Sequence, residues 1–122
     1  MGEITAGRLG QRVSIVARTE TESHGSYTEA WAATHSRWPG AVRALDGRDL
    51  ERARQIDPRI AYEVTLRYWH AYLDDLDGGR VRLTYHPTAV SADDRTLEIV
   101  TPPIDVDAAH RQVRVFCREV AA

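Results

Sequence analysis

The chain has 122 residues, 43% of them hydrophobic, which fits one globular domain spanning 1–122 and leaves no run near the ~20 apolar residues of a membrane span. A formal charge of -2 gives no global reason to grip nucleic acid, and one cysteine, Cys117, excludes an internal disulfide and a cysteine-based metal cage. All sixteen basic residues are arginine, and alanine also occurs sixteen times, the composition that GC-rich coding favours.

The opening "MGEITAGRLGQ" is polar and has no basic-then-apolar signal pattern, so the chain is expected to work without crossing a membrane by itself. "RVSIVART" alternates as a strand, with Val13, Ile15 and Ala17 on one face. "ETESHGS" reads as a polar turn region over 20–26, and "YTEAWAATHSRW" resumes extended structure with Trp31 and Trp38 as anchors. Pro39-Gly40 predicts a break or bulge before "AVRAL".

Alternation then stops. From Asp46 to Gln55 a charge-dense helical pattern intervenes, predicting one short helical insert over about 46–56. Asp46 is placed to cap the first turn and Asp49 to reach back to it, the arginines Arg52 and Arg54 suit the far end, and Asp57-Pro58 stops the helix. The apolar stripe of Leu50 and Ala53 is too thin to hold ten residues alone, so the insert must pack on the rest of the domain or on another copy.

"IAYEVTLRYW" is the clearest strand, with Ile60, Tyr62, Val64, Leu66 and Tyr68 facing one way. A glycine-closed loop over 71–79 follows, and then strands that bury Val81, Leu83 and Tyr85, Leu97 and Ile99, and Val113, Val115 and Cys117. About six alternating strands with turn signals between them predict a mainly β fold, a small antiparallel barrel or sandwich. Its core is expected to hold Val13, Ile15, Trp31, Tyr62, Val64, Leu66, Val81, Leu83, Leu97, Ile99, Val113 and Val115.

Chemistry-bearing patterns are thin. The five histidines have no metal-ligand spacing, Cys117 falls on the apolar parity of its strand, and "DDLDGG" lacks the closing glutamate of a calcium loop. "RYWHAY" could stack on bases, but Tyr68 lies on the core parity and two aspartates follow. The sequence gives no support for catalysis and calls for no cofactor.

The order "GRLGQRVSI", "YTEAW", "W.GAVRALDGRDLERA", "YEVTLRY" and "FCREV", from Gly7 to Val120, resembles the head–tail joining proteins of tailed bacteriophages, the head-closure or stopper components. Asp49 stands where a glutamate is common in them. The resemblance implies a structural virion protein, not an enzyme: a small β-barrel with a helical insert, joined into a ring of commonly about twelve copies. Such a ring sits between portal or adaptor and tail proteins, at the virion head–tail interface after assembly in the host cytoplasm, and in some members a loop closes the DNA channel. Packaged DNA would pass without specific binding, and prophages and gene transfer agents carry relatives.

On that reading Arg43, Asp46, Arg48, Asp49, Glu51, Arg52 and Arg54 are the expected inter-subunit or channel-facing contacts, since balanced charge on a thinly apolar insert suits a heterologous ring. Glu22, His24, Tyr72, Asp74, Asp75 and Asp77 are the expected partner-facing loop residues. The alternatives are a tail-completion or tail-terminator ring and, from another class, an oligonucleotide-binding barrel, which would want a basic face.

Overall fold

A computed structural model describes residues 9–76 and 80–120. Its strands are β1 (Gln11–Ser23), β2 (Ser26–Ala44), β3 (Tyr62–Arg67), β4 (Val81–His86), β5 (Arg95–Ile99), β6 (Ile104–Asp105) and β7 (Gln112–Val120). Helix α1 spans Gly47–Ile56 and the single turn α2 spans Tyr72–Asp75. All pairings are antiparallel, in the order β3-β2-β1-β4-β5-β7, and β3 pairs in turn with β7, so six strands close into a barrel. Closure removes the sheet edges from this part of the molecule. The two-residue β6 adds to β7 beside Val113 and Arg114.

Period-two alternation fills the interior. Val13, Ile15, Val64, Leu66, Leu83, Leu97, Val113, Val115 and Cys117 are fully buried, joined by Val81 and Ile99. The expected core is found except for Trp31, which is half-buried outside the barrel, and Tyr62, which is half-buried against it. β3 ends at Arg67, short of the Tyr68 and Trp69 expected in it; Trp69 and Leu76 nonetheless enter the core, and α2 forms within the stretch that the sequence reads as a loop over 71–79. Cys117 is a structural thiol whose pKa burial pushes upward.

Pro39-Gly40 does not break β2. The irregularities lie just before it, where Val13, Ile15 and Val16 pair with Trp38, His35 and Ala33, so that β2 carries the extra residues. Arg37 there takes φ 51°. Gly40 has a packing reason: a Cβ on it would lie 2.9 Å from Leu66 Cδ2 and 3.0 Å from the Thr65 carbonyl oxygen.

The 20–26 turn is also shorter than its polarity suggests. β1 runs on to Ser23 and β2 starts at Ser26, leaving His24 and Gly25 at φ 52° and 80° as a two-residue turn. Positive φ at both positions is the type I′ signature that matches hairpin twist. β4 pairs with β1 only over Arg12–Ala17, and β3 pairs with β2 only over Gly40–Ala44. From Thr19 to Ala30 the hairpin therefore extends past the barrel as a bare two-stranded ribbon.

Candidate functional site: the assembly surfaces

Helix α1 is anchored on one side and exposed on the other. Ala53 and Leu50 pack on Leu45, Ile60, Val100 and Phe116, a small second core. Phe116 alternates with the buried Val115 and Cys117, so this core lies on the barrel's outer wall and not across its opening. The expected cap is absent: Asp46 is extended at the N-cap and makes no side-chain cap bond. Nor does Asp49 reach back to the cap, because Arg43 Nη1 donates to its Oδ2 at 2.9 Å and holds that carboxylate toward β2.

The same guanidinium donates through Nη2 to Glu63 Oε2 at 2.7 Å, and Arg114 Nε lies 3.1 Å from Glu63 Oε1. Glu63 is buried, with 6% of its side chain exposed. These contacts raise the Arg43 pKa, chiefly through the hydrogen bonds to Glu63 and then Asp49. Two of the expected contact residues, Arg43 and Asp49, are thus engaged inside the subunit. Asp46, Arg48, Glu51, Arg52 and Arg54 are exposed, and the three arginines make no ion pair among the described residues. At the far end Asp57 accepts from the Arg59 side chain and amide, which hold its pKa down to about 2. Ile56 is 69% exposed beside a notch of about 170 Å³ lined in part by Phe116, Ala53 and Arg52.

The expected partner-facing loop residues divide. Glu22 and His24 sit exposed at the tip of the ribbon. Asp74 is exposed, but Tyr72 and Asp75 are half-buried. Tyr72 packs edge-on to Tyr68 and Trp69, and desolvation raises its pKa. Asp75 Oδ2 accepts from Trp69 Nε1 at 2.6 Å. His35 wedges between Trp38 and Trp69 at ring distances of 5.2 and 5.1 Å, closing an aromatic corner at the foot of the ribbon. Asp77 lies outside the described residues.

The ribbon itself is the feature that the sequence reading missed as an element. Its outward face pairs Arg18 with Trp31, Glu20 with Glu29, and Glu22 with Tyr27, which is 70% exposed. Arg82 of β4 stands 4.5 Å over the Trp31 ring and ties the ribbon's base to the barrel. The signal was available in His24-Gly25, a pair able to take a two-residue turn.

One polar relay invites a catalytic reading and does not sustain it. Ser14 Oγ lies 2.7 Å from His86 Nε2, and His86 Nδ1 lies 3.0 Å from Asp94 Oδ1. Yet Ser14 is buried, its Oγ accepts the Arg37 amide at 3.0 Å, and it lines none of the four clefts described for the surface. The His86–Asp94 approach lacks hydrogen-bond geometry. The relay pins β1, β2 and β4 together. Among the described residues no three metal-ligating side chains converge, and no helix is long and apolar enough to cross a membrane.

The solution structure of protein SF1141 from Shigella flexneri 2a is similar to this chain at 23% identity, with a TM-score of 0.70, covering 97% of this chain and 98% of that one. That likeness speaks to the fold. No curated protein matches the sequence significantly. The model of one family, phage head completion protein, matches residues 4–120, from before β1 to the end of β7, and the chain belongs to that family.

Proposed function

We propose that the chain is a non-enzymatic connector subunit. In this reading copies join as a ring below the portal or adaptor of a DNA-filled head, receive the tail on the other side, and complete the channel through which DNA passes. Membership of the phage head completion family carries the reading. The surface supports it: among the described residues the ribbon is bare on both edges from Thr19 to Ala30, which is marginal in a lone subunit, and the outer side of α1 carries arginines without an ion pair, and both suit a partner. The particle is then the chain's place of work, whether made by an infectious phage, a prophage or a gene transfer agent.

Deleting the gene tests this directly. Filled heads should accumulate, lose DNA and fail to take tails, while separate complete tails build up. Normal yields of tailed, DNA-retaining particles without the chain would refute the reading. A tail-terminator role predicts a different defect, tails of irregular length.

A further inference from the structure

A cleft of about 750 Å³ opens on the outer surface where Arg12, Pro39 and Arg67 stand side by side on β1, β2 and β3. Tyr68, His110 and Arg111 complete its wall; His110 is held from the side by the Asp105 carboxylate, and among the described residues no carboxylate lines the cleft itself. Arg12 and Arg67 are exposed and have no acidic partner among the described residues. Elsewhere on the same strand the sign is opposite. Glu20 and Glu29 face each other directly across the ribbon, with Glu22 beside them, and like charges in that position destabilise a hairpin. Arg18, 3.5 Å from Glu20, offsets only part of this, and Glu29 makes no ion pair among the described residues.

We propose that the acidic outer face of the ribbon, Glu20, Glu22 and Glu29, docks into the Arg12–Arg67 cleft of a second copy of this chain. An internal contact is excluded by geometry. Arg12 and Glu20 lie on one face of one strand, eight residues apart, which is about 26 Å at the rise of a β-strand. The two patches differ, so the contact is head-to-tail and repeats from copy to copy, the arrangement that closes rings. Charge complementarity favours a second copy: the ribbon supplies carboxylates that match the arginines of the cleft, and the overall charge of -2 gives no general pull on nucleic acid. The inference rests on the ring reading above and names the surfaces that form it.

The test is a reversal and its rescue. E20R/E29R and R12E/R67E, each shown to be folded by circular dichroism, should lower the yield of tailed particles by at least about tenfold, because every contact in the ring is weakened at once. Combining all four changes in one chain restores opposite charge at each contact and should recover most of the yield. Particles carrying E29C/R67C should give a ladder of disulfide-linked multimers on oxidation, whereas E29C/S91C should not. Failure of both rescue and ladder overturns the contact. Counting copies per particle separates the two readings: several copies without a 29–67 link leave the ring and remove this contact, and a single copy removes both. Duplex DNA retained by the wild type and released by R67E would assign the cleft to phosphate and equally overturn the proposal.

Discussion

Glu63 is the residue on which the outer wall turns. A carboxylate with 6% of its side chain exposed is tolerable because Arg43 and Arg114 both reach it. Glu63→Ala leaves those guanidiniums facing a buried void and should cost about 3–5 kcal/mol in urea unfolding. Gly40→Ala is expected to cost about 1–3 kcal/mol, since the new methyl meets the Thr65 carbonyl, which can yield only with its strand. Asp57 gives a pH signature. Its folded pKa of about 2 lies below the ordinary 3.8, so its contribution is complete above 3.8 and disappears as pH falls through 2. The stability gap between wild type and Asp57→Asn should therefore shrink over that window and be constant above it. Of these residues the sequence displayed Asp57, as the stop before Pro58, while Gly40 read as a break and Arg43 as a contact between subunits, and neither role is the packing or pairing found. Glu63 occupies the polar parity of β3 and reads as solvent-facing, because alternation reports the barrel interior and is blind to a second layer outside it.

At the scale of elements, legibility followed burial. β4, β5 and β7 bury one face and β3, buried on both, keeps its apolar side chains on one, so period two marked them, and Leu66→Ala should cost ~2–5 kcal/mol as a fully buried side chain of that parity. The ribbon buries neither face, so alternation faded into a polar stretch that resembles a loop. α1 was found because its period and charges change abruptly, but the reciprocal cap was misassigned, since the hold of Arg43 from β2 on the Asp49 carboxylate cannot be foreseen from the local pattern. A two-stranded ribbon standing alone is marginal in water. Amides from 19 to 30 should exchange with solvent far faster than those of β3 and β7 in the isolated subunit, and become protected in assembled particles. Residues 71–76 should gain less, because Trp69 and Leu76 already hold them to the core. Equal protection of the ribbon in both states would remove it as a partner-binding element.

On the connector reading proposed above, the whole molecule would have to carry DNA past itself without holding it. Every phosphate neutralised by a protein cation releases counterions, and repeated copies around a channel would multiply any such grip. A net charge of -2 agrees with low affinity, and much of the positive charge is already spent: Arg43 and Arg114 meet Glu63, Arg59 meets Asp57, Arg118 meets Glu98 and Arg95 meets Glu119. Arg48, Arg52 and Arg54 remain on the outer side of α1 without internal acid partners among the described residues. If they face a neighbouring protein, Arg52→Glu with Arg54→Glu should impair ring assembly or tail attachment while changing subunit stability by less than about 1 kcal/mol, because exposed charges contribute little to folding. Urea unfolding and particle counts on the same variant measure the two effects. Duplex DNA binding by the isolated wild type should be negligible at physiological salt in a filter or anisotropy assay. Micromolar binding that these two reversals abolish would instead place α1 on nucleic acid, and the connector role of this helix would have to be given up.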